Sequence, residues 1–152
     1  MQDRFKVRVW NTLVKKFSYF DKPEMQIGTD GFDNGLIFPL SENSNLYMGK
    51  YSELQFCTGL KDKHGKLIYK GDIVKLFNDE FCNIHTVKFG DFAMYSLDFQ
   101  TEYEEGSTAV YGWYLGGLTY PIPLSISLDT SGLELEVIGN IYENPELIGG
   151  AE

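Results

Sequence analysis

Two cysteines and two histidines are the first residues to weigh for chemistry. Cys57, His64, Cys82 and His85 follow the pattern C-x6-H-x17-C-x2-H. Structural zinc sites pair their ligands in short knuckles of the C-x2-4-C type. Only Cys82 and His85 approach that spacing, and an odd separation on a strand puts them on opposite faces. The pattern therefore predicts no metal site. Two buried thiols acting as small hydrophobes and two surface histidines are expected instead. No nucleophile elbow surrounds any Ser or Cys. The carboxylate pairs Asp79/Glu80, Glu104/Glu105 and Glu134/Glu136 lie in polar turns or at strand spacing, as solvated faces do. Gly112, Gly116 and Gly117 make neither a phosphate-cradling loop nor a dinucleotide fingerprint. No catalytic residue and no cofactor are expected.

Binding residues are easier to find. Arg4, Lys6, Arg8 and Trp10 alternate with Phe5, Val7 and Val9. A period of two places the basic and aromatic set on one face of a half-buried strand. A second cluster, Lys61, Lys63, Lys66, Lys70 and Lys75, surrounds Tyr69. Small β-barrels bind single-stranded nucleic acid by combining charge with base stacking. The candidate binding or interface residues are accordingly Arg4, Lys6, Arg8 and Trp10, with Lys61, Asp62, Lys63, His64, Tyr69, Lys70 and Asp72.

The charge balance bears on what such a surface meets. The 152 residues carry a formal charge of −9, from 13 Lys and Arg against 22 Asp and Glu. Residues 1–75 hold 12 basic and 9 acidic side chains, whereas residues 76–152 hold 1 basic and 13 acidic. An acidic total disfavours general affinity for phosphate backbones. The two halves attract each other within one chain, or between chains in head-to-tail assembly. No stretch approaches the roughly 20 apolar residues of a membrane helix. The first residues lack the apolar region of a secretory signal, and two cysteines fall short of a secreted disulfide framework. A cytoplasmic setting with no membrane contact is expected.

The elements that position these residues are short. Residues 3–20 read as a β-hairpin turning at Asn11-Thr12. Residues 21–50 are dense in Gly, Pro, Asn and Asp and read as a linker, with Leu36-Ile37-Phe38 and Leu46-Tyr47-Met48 as short edge strands. Strands follow at 53–60, 67–69, 73–77, 82–89, 92–99, 110–115 and 133–141, with turns at Gly65, Asn78-Asp79-Glu80 and Gly90-Asp91. Residues 116–131 read mostly as loop, and Asn144-Pro145 as a chain reversal. No amphipathic helix of 10 or more residues is visible. Aromatic residues make up 15% of the chain, too many for a disordered one. Short strands joined by tight turns argue an all-β barrel or sandwich.

Three segments resemble a known family. The opening Phe5-Lys6-Val7-Arg8-Val9-Trp10, the run Phe56–Val74 containing Thr58-Gly59-Leu60-Lys61-Asp62-Lys63-His64-Gly65-Lys66 and Gly71-Asp72-Ile73-Val74, and the ending Glu136–Leu147 are similar, in order, to the motifs of YopX-family proteins. Cys57 stands where an aromatic residue is usual and His64 where Asn is usual. The resemblance implies a phage or prophage origin. It also implies a mainly β fold: an SH3-type barrel or roll over residues 51–152, preceded by the N-terminal hairpin and linker of residues 1–50. It carries over no catalytic residue. Gly59, Gly65, Gly71-Asp72 and Asn144-Pro145 suit turns and corners, so these motifs read mainly as fold determinants. The expectation is a non-enzymatic accessory protein that assembles with itself or binds a host or phage protein. The alternative is a nucleic-acid-binding barrel using the basic and aromatic strand and the Lys-rich turn.

Overall fold

The computed structural model describes residues 6–21, 26–28, 35–41, 44–48, 52–94, 108–117, 121–124 and 132–149. It is mainly β, and its chain forms two compact units, Met1–Leu60 and Lys61–Glu152. Among the described residues, no helix is long and apolar enough to cross a membrane.

In the first unit, β1 (Val7–Asn11) and β2 (Lys16–Phe20) form the expected antiparallel hairpin. Its turn is built by Asn11, whose Oδ1 accepts the N–H groups of Leu13 and Val14 at 2.9 and 3.1 Å. Lys15 closes the turn at a φ of 52°, a left-handed conformation unusual for a residue with a Cβ. The segment read as a linker carries a sheet of its own, β3 (Gln26–Gly28), β4 (Gly35–Ser41) and β5 (Ser44–Met48), paired antiparallel in that order. Both short apolar runs lie within it. β6 (Ser52–Lys61) pairs with the free side of β1, with Val9 opposite Leu54. Val7 and Val9 are buried and pack with Phe20 and Leu54.

The second unit begins with β7 (Leu67–Tyr69), β8 (Asp72–Phe77) and β9 (Cys82–Met94). β10 (Thr108–Gly116), β11 (Ile122–Pro123) and β12 (Glu134–Asn140) follow. Five of these strands form one antiparallel sheet in the order β11-β10-β9-β8-β12. Its core is aliphatic: Ile68, Ile73, Val74, Leu76, Val87, Leu115, Leu124 and Leu135 are almost wholly buried. The turn expected at Gly90-Asp91 is absent, because β10 pairs without a break from Met94 to Thr86 and carries the ladder across both residues. The chain closes with a 3₁₀ turn, Pro145–Leu147, directly after Asn144. The strand expected over 95–99 lies outside the described residues.

Candidate functional site

The Lys-rich turn is organised around one carboxylate. Asp62 is buried, and its Oδ1 accepts the N–H groups of His64 and Lys66, each at 2.9 Å. Its Oδ2 accepts the N–H of Val137, 75 residues away, at 3.1 Å. The Lys63 N–H donates to the Leu135 carbonyl at 2.9 Å. The turn therefore covers the outer edge of β12, satisfying backbone groups that an edge strand would leave open. Gly65 sits at a φ of 81° where this loop must tighten. Burial pushes the Asp62 carboxyl up, but the N–H groups of Val137, Lys66 and His64, with His64 nearby, hold it below its ordinary value.

Above this turn, basic and acidic side chains pair within the chain. Lys63 Nζ lies 3.3 Å from both Glu134 Oε2 and Glu136 Oε2, and 4.4 Å from the centre of the Phe77 ring. His64 Nε2 lies 3.5 Å from Glu136 Oε1. Desolvation pulls the Lys63 ammonium down, and the two carboxylates more than offset it, raising its pKa. Lys63 in turn holds the Glu136 carboxyl below its ordinary value. Lys63, from the basic half of the sequence, thus meets carboxylates from the acidic half.

Asp72 anchors a second junction. It is 1% exposed; its Oδ2 accepts the Tyr69 N–H at 2.8 Å and its Oδ1 accepts from Asn140 Nδ2 at 3.3 Å. Gly71 donates to the Val87 carbonyl and accepts from the Ile141 N–H. The Gly-Asp corner and the Gly-Asn-Ile-Tyr segment thus hydrogen-bond each other, a structural use for both motifs. Tyr69 is buried, while Lys61 and Lys70 are exposed.

The N-terminal strand is arranged differently from its period-two pattern. Arg8 and Trp10 are 4% and 5% exposed, as buried as Val7 and Val9 on the other face. Arg8 Nε donates to Gln55 Oε1 at 2.6 Å, and its guanidinium lies 4.4 Å from the Phe17 ring centre. Trp10 packs on the same ring at 4.8 Å. The half-buried strand is therefore corrected to one buried on both faces at these four residues. A charge is tolerated there because Gln55 and Phe17 replace part of its water. Lys6 is half-buried, with Asp21 at 3.4 Å, and Arg4 lies outside the described residues.

Two further expectations change. Cys57 is buried but Cys82 is exposed; His64 is exposed but His85 is 1% exposed. Among the described residues, neither ring nitrogen of His85 finds a hydrogen-bond partner. Burial pushes its imidazole below the ordinary value, and the nearby Gly116 backbone works in the opposite sense without completing a bond to the ring. Among the described residues, no group of three or more His, Cys, Asp and Glu converges as a metal site.

Not expected from the sequence is an aromatic cluster on one face of β9 and β10. Phe89 lies directly opposite Trp113, their ring centres 4.7 Å apart, and meets Tyr111 edge-on at 5.0 Å. Phe89 is 41% exposed and Tyr111 68%. Asp91, opposite Tyr111 in the ladder, is exposed beside them. The signal was present as aromatic residues at period-two spacing, but the expected turn at Gly90 hid the shared face.

A family model described as YopX protein matches residues 6–149. The crystal structure of YopX from Bacillus subtilis aligns with a TM-score of 0.55 at 23% identity, covering 95% of this chain and 98% of that one. The crystal structure of protein EF1440 from Enterococcus faecalis aligns with a TM-score of 0.50 at 22% identity, covering 94% and 96%. No curated protein matches the chain.

Proposed function

The chain belongs to the YopX family, and from that premise we propose that it is a non-enzymatic phage or prophage accessory protein, a protein-interaction module that associates with further copies of itself. The observation that carries this reading is the Phe89–Tyr111–Trp113 cluster, in which Phe89 and Tyr111 are exposed and Trp113 is half-buried, on the same face of β9 and β10 as the buried Val87 and Leu115. Exposed aromatics of this kind are favoured at interfaces and costly to leave in water. The sequence adds the uneven charge, which suits contact between unlike regions of two copies. Nucleic-acid binding draws less support: Arg8 and Trp10 are buried, and Lys63 faces two glutamates.

Light scattering on the purified chain over a range of concentrations tests the proposal. The expected result is a mass above that of one chain, reduced by Tyr111→Ser. A single-chain mass at every concentration refutes it.

A further inference from the structure

The aromatic cluster has a chemical counterpart elsewhere on the same chain. At the tip of the β1–β2 hairpin, Leu13 and Val14 are 67% and 62% exposed, among the most exposed large apolar side chains described. Lys15 and Lys16 follow them directly and are exposed. This tip is fixed in shape: Asn11 Oδ1 accepts from Leu13 and Val14, and the Lys15 N–H donates to the Asn11 carbonyl at 2.8 Å. A preorganised apolar tip loses little conformational freedom when it docks.

The cluster offers what that tip lacks. Phe89, Tyr111 and Trp113 present ring surface, and Asp91 adds a carboxylate at its border. Lys88, the nearby cation, belongs to the opposite face of β9 by strand alternation. An aromatic surface bordered by the Asp91 carboxylate thus matches a tip with two apolar side chains and two ammonium groups. Aromatic rings also attract ammonium groups by their negative faces.

Resting on the self-association reading above, we propose that the hairpin tip Leu13-Val14-Lys15-Lys16 of one copy docks on the Phe89–Tyr111–Trp113 cluster of a second copy. The two surfaces differ, so the contact is heterologous; repeated, it closes into a ring or extends as a filament.

Complementation tests the pairing. Leu13→Asp spoils the tip and leaves the cluster intact, while Tyr111→Ser does the reverse. Both positions are exposed, and unchanged unfolding midpoints verify that each variant folds. Native mass spectrometry is expected to show each variant alone as a single chain. An equal mixture is expected to show one heterodimer, formed by the intact tip of Tyr111→Ser and the intact cluster of Leu13→Asp. The double change Lys15→Glu, Lys16→Glu should also abolish assembly of the wild type, with recovery in the presence of Asp91→Lys. If the wild type assembles and Leu13→Asp assembles equally well, the pairing is wrong and self-association stands. The same conclusion follows if both variants are single chains and their mixture forms no heterodimer. If the wild type itself is a single chain, the broader reading fails with it.

Discussion

Asp62→Asn isolates the contribution of the carboxylate that covers β12. The wild-type side chain accepts three backbone N–H groups, two from its own turn and one from Val137. An amide of the same shape has one acceptor oxygen and a donor NH₂ group. Turned one way it serves the His64 and Lys66 N–H groups and points its NH₂ at the Val137 N–H. Turned the other way it serves Val137 and opposes the two turn N–H groups. At least one buried donor is orphaned, at about 1–3 kcal/mol, and the remaining bonds lose their charge, at roughly 1 kcal/mol more. The expected loss is about 2–4 kcal/mol, a large fraction of the roughly 5–15 kcal/mol that holds a domain together. Urea unfolding followed by tryptophan fluorescence measures it, and hydrogen exchange at the Val137 amide locates it. The pH dependence adds an independent arm. The folded carboxyl lies below its unfolded value, so the unfolded chain binds the proton first on acidification. Its stabilisation is complete above the unfolded value of about 3.9 and is lost as pH falls through the folded one. Asp62→Asn should flatten that part of the profile. A loss below about 0.5 kcal/mol, with the Val137 amide still protected, refutes the edge-covering role.

Other positions yield separate tests. His85→Leu removes two buried nitrogens that no described residue satisfies and should raise stability at pH 7 by about 1–2 kcal/mol in urea unfolding. The folded imidazole is held below its unfolded value of about 6.5, so wild-type stability should decline as pH falls below about 6.5, by up to about 1.4 kcal/mol per unit, and His85→Leu should lack that decline. Gly139→Ala would place a methyl 2.8 Å from Asn144 Oδ1 and 2.9 Å from Leu147 Cδ1. Asn144 is pinned by its own N–H to the Asn140 carbonyl, so a thermal melt should show a cost of about 1–3 kcal/mol. Lys15→Gly relieves a left-handed backbone, worth about 1–2 kcal/mol, against Gly's added unfolded-state entropy; calorimetry should find a net gain of up to about 1 kcal/mol.

What the sequence disclosed was local. The Asn11 turn, the glycine-tightened loop around Gly65, the Gly71-Asp72 corner and the Asn144-Pro145 reversal each depend on residues a few positions apart. What stayed hidden depends on distant partners. Period two separates the faces of β1 but not whether both are covered; Arg8 is satisfied by Gln55, 47 residues on. Asp62 read as part of a solvated basic turn because Val137 lies 75 residues further along. Gly90 and Asp91 form a strong turn pair in isolation, yet pairing with β10 holds them extended. His85 reads as a surface residue because imidazole usually seeks partners, and no local pattern announces that it is as buried as Val87, two residues along β9. The sheet at β3–β5 was obscured by glycines and prolines that punctuate rather than prevent it.

Sedimentation velocity of the unmodified chain, from dilute to concentrated at low salt, addresses the proposed role most directly. Species heavier than one chain are expected, growing with concentration and receding as salt screens the Lys and Asp contacts. A lone boundary at the mass of one chain, indifferent to both concentration and salt, contradicts it.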